Sequence, residues 1–206
     1  MLKKLPTQIP IFPLSGVIYF PKTNLPLNIF EQRYLDLVND TLKKDKLIGM
    51  IQSKKKAEEL YQVGCLGKIN DFQKSKDGRI LINLMGLTRF EILEEEENSK
   101  LYREFKVNYK KFILDLKPIK EEINIEPLMD KVKIFFKKSG LLLNWKEFDK
   151  LDKTQKINTL SMIAPITNEE KQKLLESVSL EEKVKVLINI VNFYLHEVDF
   201  SNRTLQ

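Results

Sequence analysis

Residues 65–84 read Cys65-Leu66-Gly67-Lys68-Ile69-Asn70-Asp71-Phe72, then Gln73-Lys74-Ser75-Lys76-Asp77-Gly78-Arg79, then Ile80-Leu81-Ile82-Asn83-Leu84. Two apolar-rich runs of strand length flank Ser75–Arg79, where Asp-Gly supplies the positive-φ positions of a tight turn. A β-hairpin is predicted here. The same grammar extends outward on both sides, from Ile9 to about Ile113. Ile9–Phe12, Leu47–Gln52, Cys65–Phe72, Arg79–Leu84, Thr88–Leu93 and Glu104–Phe112 fit strands of four to nine residues, with Phe105, Val107 and Tyr109 alternating with polar neighbours. One helix interrupts them, from Glu31 to about Lys43, with Tyr34, Leu35, Val38 and Leu42 on one face and Asp36, Asn39 and Asp40 opposite.

After Pro118 the pattern becomes helical. Asn124 can cap a segment with Pro127 in its first turn and a stripe of Leu128, Val132, Phe135 and Phe136, stopped by Gly140. Thr154–Ile163 is a short second helix. Thr167–Glu170 and Ser179–Glu182 are capping boxes that open two more, the last a long helix whose Leu180, Val184, Leu187, Val191 and Tyr194 share a face with Ile188 and Leu195. The expected layout is a β-rich domain over 1–117, a short joint Leu116-Lys117-Pro118, and a helical bundle over 118–206, with no fixed-period repeat.

The 206 residues carry 35 basic and 29 acidic side chains, a net +6, with the excess confined to residues 1–120. Such a charge suits a polyanion partner, yet 30 of the cations are lysine, scattered among carboxylates, with no basic run longer than Lys54-Lys55-Lys56. Lysine is a solvated point charge, whereas arginine is the usual choice for bidentate phosphate and base contacts. Solvated surface is the favoured reading. Four of the five arginines, Arg33, Arg79, Arg89 and Arg103, stand in the strand-rich half beside turns or apolar strand residues. There the rigid fork is expected to tie groups such as Glu31 or Asp77 across the sheet.

One cysteine, Cys65, excludes an intramolecular disulfide and multi-cysteine metal sites, and one histidine, His196, removes most zinc and triad chemistry. No G-x-x-x-x-G-K-[ST] or G-x-G-x-x-G phosphate loop and no G-x-S-x-G elbow is present. Cys65 reads as a small buried apolar residue, His196 as a helix-end cation, and Glu94–Glu97 as a solvated hairpin tip rather than a cation site. The sequence assigns no catalytic, cofactor-binding or metal-binding residue. No run reaches the apolar length of a membrane span, and Pro6 and Pro10 interrupt any signal-like core after Met1-Leu2-Lys3-Lys4, so the expected compartment is the cytoplasm.

Ile9-Pro10-Ile11-Phe12-Pro13-Leu14, Pro21 and Leu25-Pro26-Leu27-Asn28-Ile29-Phe30-Glu31-Gln32-Arg33-Tyr34 closely resemble the opening of the Lon-protease N-terminal, or LON substrate-binding, domain. The likeness continues in register through Gly49-Met50-Ile51, Val63–Ile69 with Gly64 and Gly67, Asp77-Gly78-Arg79, Gly86-Leu87-Thr88-Arg89-Phe90 and Tyr102-Arg103. It covers most of residues 9–109. The helical half, notably Ile157–Leu160 and Ile166–Glu176, looks like the bundle that follows this domain in short stand-alone bacterial members. The resemblance implies an α+β fold: a six-stranded PUA-like pseudobarrel with one inserted helix, then an α-helical bundle. Pro26, Phe30, Glu31, Arg33, Tyr34, Gly64, Gly67, Asp77, Gly78, Arg79, Gly86, Arg89 and Phe90 become scaffold residues of the shared motifs. It also implies that neither the ATPase nor the protease module of full Lon enzymes is carried by these residues.

In the full enzymes this domain contributes to recognition of unfolded or tagged proteins, so the resemblance implies a non-enzymatic peptide- or protein-binding role in bacterial protein quality control. Candidate binding residues are Tyr19, Phe20 and Leu25, in an apolar, proline-broken stretch, and Tyr102, Trp145 and Phe148 (with Leu101) in a furrow between the two domains. Sealing the barrel is the favoured role for Tyr19 and Phe20, and Phe30 and Tyr34 suit it as well. The alternative is an RNA-binding module using the basic β domain, against which stands the lack of interleaved arginines and aromatic platforms. No membrane partner is expected, and oligomeric state is left open.

Overall fold

The computed structural model describes residues 5–54, 59–117 and 123–203, so the amino-terminal Met1–Lys4, most of the Lys54–Lys56 run and Pro118 of the joint lie outside the described residues. The chain divides into two compact units, Met1–Pro118 and Ile119–Gln206.

The first unit holds β1 (Gln8–Leu14), β2 (Asn24–Ile29), α1 (Gln32–Leu42), β3 (Leu47–Gln52), β4 (Val63–Lys74), β5 (Ile80–Glu96), β6 (Arg103–Asn108) and a 3-10 helix, Lys110–Leu116. The hairpin read at Ser75–Arg79 joins β4 to β5: Ser75 N–H donates to the Arg79 carbonyl (2.9 Å), and Gly78 takes a φ of +88°. The sheet order is β2-β5-β4-β3-β1-β6, and β6 pairs again with β5. Five strands therefore close into a ring, β5-β4-β3-β1-β6-β5, and β2 hangs on the first half of β5. Closure is possible because β5 is one strand of 17 residues rather than two: its start pairs with β2 and its end with β6. Register shifts at Leu66/Gly67 and Ile69/Asp71 bend the long β4–β5 hairpin, and one at Ile92/Glu94 bends the β5–β6 pair.

Alternation directs one face of each strand inward, and Ile9, Ile11, Ile51, Leu60, Leu66, Phe90, Phe105 and Val107 pack as a core cluster. α1 runs as the crossover between β1 and the parallel β3. Its buried residues are Tyr34, Leu37, Val38 and Thr41, so the buried stripe is rotated from the expected Tyr34-Leu35-Val38-Leu42 face. The strand expected over Glu104–Phe112 stops at Asn108. Phe112 turns inside on the 3-10 helix, fully buried, under the guanidinium of Arg89 at 4.2 Å from its ring centre.

The second unit contains α2 (Glu126–Lys138), α3 (Trp145–Phe148), α4 (Lys153–Ile163), α5 (Asn168–Glu176) and α6 (Leu180–Arg203). Asn124 Oδ1 accepts from the Glu126 N–H at 3.0 Å, Thr167 and Glu170 form a reciprocal capping box, and Ser179 Oγ accepts from Glu182 N–H at 3.1 Å. The Glu182 carboxylate reaches Val178 N–H instead of Ser179. Val184, Leu187 and Val191 of α6 are buried, and α6 packs against α2, α4 and α5. Inside this packing Lys183 is also buried and donates from Nζ to Asn158 Oδ1 at 2.7 Å.

Candidate functional site

The apolar stretch expected to line a groove lies inside the first unit. Tyr19, Phe20 and Leu25 are all buried, Phe20 completely. Thr23 Oγ1 donates to the Phe20 carbonyl at 2.7 Å, and burial pushes the Tyr19 hydroxyl well above the usual phenol range. These three residues close the fold and offer a ligand no surface. Phe30 shows the opposite: expected to seal the barrel, it is 65% exposed, just beyond the end of β2.

Tyr102 is buried too, but its hydroxyl reaches a cleft of about 350 Å³, lined among others by Asp40, Lys44, Lys100 and Glu104. It donates to Asp40 Oδ2 at 3.0 Å, and Lys100 donates to Glu104 Oε1 at 2.7 Å. The Tyr102 donor holds the Asp40 carboxyl below the usual carboxylate range, and burial first, then the hydrogen bond to Asp40, raises the Tyr102 hydroxyl. Two pairs of this cleft, Tyr102 with Asp40 and Lys100 with Glu104, thus satisfy one another. Trp145 and Phe148 stand in the second unit, their rings 5.6 Å apart, with Phe136 6.0 Å from Trp145. Phe148 is buried and Trp145 half-buried, as parts of that unit's own core.

The arginines act on the scaffold, though not as expected in each case. Arg33 pairs with Glu31 and Arg79 with Asp77, but each pair is local and exposed rather than strung across the sheet. Arg33 also covers the Tyr34 ring, which stacks on Phe12 at 4.0 Å. The true ties are Arg103 to Glu95, across β6 and β5, and Arg89 to Asp115. Glu94 and Glu96 meet Lys106 while Glu95 meets Arg103.

One surface available for an apolar ligand is the wall formed by β2, the first half of β5 and the end of β4, although single apolar side chains such as Leu101, Leu142 and Phe193 are exposed elsewhere. Register places Pro26 beside Asn83 and Asp71 in one row, and Asn28 beside Leu81 and Gln73 in the next. Ile80, Ile82 and Leu84 are buried, so Leu81, Asn83 and Met85 face out; Leu81 is 44% exposed and Met85 38%. Phe72, near the hairpin tip, is 42% exposed as well, but it pairs with Ile82 and so stands on the other face of the sheet, beside Leu27. A shallow depression of about 380 Å³ lies here, lined by Pro26, Leu27, Phe72, Leu81 and Asn83, with Asp71 as its one ionisable lining residue. Sequence reasoning placed Leu81 on a strand, but its exposure depends on where β2 joins the sheet. Chemically this wall can desolvate apolar side chains and hydrogen-bond amides. Among the described residues, no group of three or more His, Cys, Asp or Glu could hold a metal ion, and no helix is long and apolar enough to cross a membrane.

A closed five-stranded ring with a crossover helix and an appended strand, followed along the chain by an all-helical unit, defines a recognisable class. The family model described as the ATP-dependent protease La (LON) substrate-binding domain matches residues 8–192, and the chain belongs to that family. It is 30% identical over 216 aligned residues to a Lon protease of Syntrophus aciditrophicus (strain SB), covering 97% of this chain and 27% of that protein. A Lon protease of Anaeromyxobacter dehalogenans (strain 2CP-C) is 23% identical, with 97% and 25% covered. The chain thus spans about a quarter of the length of these relatives. The fold is shared with the Lon N-terminal domain protein from Xanthomonas campestris, at a TM-score of 0.68, 20% identity and coverage of 89% of this chain and 98% of that one. It is shared also with the N-terminal domain of Mycobacterium avium complex Lon protease, at 0.65, 16% identity and coverage of 90% and 98%.

Proposed function

We propose that this chain is a polypeptide-recognition module: it engages apolar segments of unfolded or tagged proteins through the β2–β5–β4 wall and catalyses no reaction itself. The observation that carries the reading is the exposed face around Leu81, Asn83 and Met85, which has few charges, Asp71 and Lys68 at its margin, in a chain that belongs to a substrate-binding domain family. Covering such area with apolar side chains yields about 25 cal/mol per Å², against which stands the cost of ordering a flexible segment. Binding is therefore weak and transient, as substrate sampling requires. The reading places the protein in the cytoplasm, in protein quality control.

The distribution of charge supports a polypeptide over a polyanion. In the basic unit Arg33, Arg79, Arg89, Arg103, Lys106 and Lys111 each meet a carboxylate within 3.1 Å. The test is a fluorescence-anisotropy titration with a labelled apolar peptide, an all-polar peptide and an RNA oligonucleotide, at low and high salt. The apolar peptide is expected to bind with little salt dependence. RNA binding that falls steeply with salt, through counterion release, with no peptide binding would overturn the reading.

A further inference from the structure

β2 is the strand left outside the closed ring: among the described residues it pairs with β5 along one side and with no strand along the other. Which backbone groups face the open side follows from its register. Thr23 stands next in line opposite Gly86, continuing Asn24 opposite Met85, and Gly86 N–H donates to the Thr23 carbonyl at 2.9 Å. In an antiparallel pair hydrogen-bonded positions alternate, so Thr23, Leu25, Leu27 and Ile29 turn their backbone groups to β5. Pro26, opposite Asn83, falls at the other parity, where its missing N–H breaks no bond of the sheet. The open edge thus carries the N–H groups of Asn24 and Asn28 and the carbonyls of Asn24, Pro26 and Asn28.

An array of this kind is complementary to an extended backbone and to little else. Its charge narrows the partner. In a chain of which 31% is charged, the side chains on this edge are Asn24, Pro26 and Asn28, and at its far end Glu31–Arg33 and Asp77–Arg79 neutralise one another. A second copy of the chain fits poorly, because an antiparallel β2–β2 pairing centred on Pro26 sets two donorless residues face to face. We propose that the open edge of β2 adds an extended, uncharged apolar segment of an unfolded polypeptide as a further strand, with Pro26 leaving a gap that keeps the edge from pairing with itself. This rests on the polypeptide-binding reading above and gives it a binding mode.

The full chain is titrated with a labelled eight-residue Val/Leu/Thr peptide, the same peptide N-methylated at alternate residues, and one N-methylated at every residue. Alternate methylation leaves one peptide edge able to pair and keeps binding within about three-fold, whereas full methylation weakens it by roughly ten-fold or more. On the protein side Asn28→Pro weakens binding to a similar extent, and Pro26→Thr, which restores the central donor, tightens it, with thermal unfolding midpoints recorded for both. Equal affinity for all three peptides would overturn strand addition while leaving the polypeptide reading in place; no binding of any peptide would overturn both. A concentration-dependent dimer that peptide dissociates and Asn28→Pro abolishes would give the edge to a second copy and overturn the proposal.

Discussion

Gly86 lies directly against the backbone of Phe20: a Cβ built on it would stand 2.2 Å from the Phe20 carbonyl oxygen. Lys22 N–H donates to the Gly86 carbonyl at 2.8 Å, so the loop before β2 is clamped to β5 at this point. Rigid backbone cannot yield as a side-chain end can. Gly86→Ala is expected to lower stability by about 1–3 kcal/mol in urea unfolding, as overpacking does. An unchanged midpoint would show that the loop is not held there.

Arg89 and Asp115 form a second clamp, between β5 and the 3-10 helix. The guanidinium donates from Nε at 2.9 Å and Nη2 at 2.8 Å, and Arg89 N–H also donates to Oδ2 at 2.9 Å. The side chains are 3% and 11% exposed. Asp115→Asn leaves a buried cation without its counter-charge and is expected to cost about 3–5 kcal/mol. Glu31→Gln removes an exposed partner of Arg33 and is expected to cost about 0–1 kcal/mol. Urea titrations of the two variants side by side check the contrast; equal losses would contradict it.

The Asp40–Tyr102 hydrogen bond makes a pH prediction. Asp40 is held below its usual value chiefly by the Tyr102 donor. A depressed carboxylate contributes stability that is present above its unfolded value, about 3.9, and is lost as pH falls through the folded value. Tyr102→Phe is therefore expected to be less stable than the parent at neutral pH, with the gap narrowing only as pH falls below the ordinary aspartate range. Thermal midpoints from pH 7 down to 2.5 read this; a gap independent of pH would refute it.

The hairpin at Asp77-Gly78 was legible because turn chemistry is local, and the helix caps at Thr167 and Ser179 are local in the same way. β2 was not legible as a strand: Asn24-Leu25-Pro26-Leu27-Asn28-Ile29 is short and interrupted by amides and a proline, and it is fixed by pairing with β5. The continuity of β5 was hidden by Gly86, which looks like a break until the Phe20 loop that demands it is in view. Tyr19, Phe20 and Phe30 stand in loops, where no alternation sorts inside from outside: Tyr19 and Phe20 are buried, as the favoured sealing role requires, whereas Phe30 is exposed. The exposed wall around Leu81 was beyond reach for a related reason, since alternation gives two faces and only ring closure says which one is inside.

The most direct test of polypeptide recognition by the β2–β5–β4 wall is the affinity of Leu81→Lys for the labelled apolar peptide, beside its thermal unfolding midpoint. Leu81 is partly exposed and faces outward, so the charge enters water at little cost to the fold. A loss of affinity of roughly ten-fold or more at an unchanged midpoint is the predicted result. Undiminished binding by a stably folded Leu81→Lys protein would contradict the assignment of the wall.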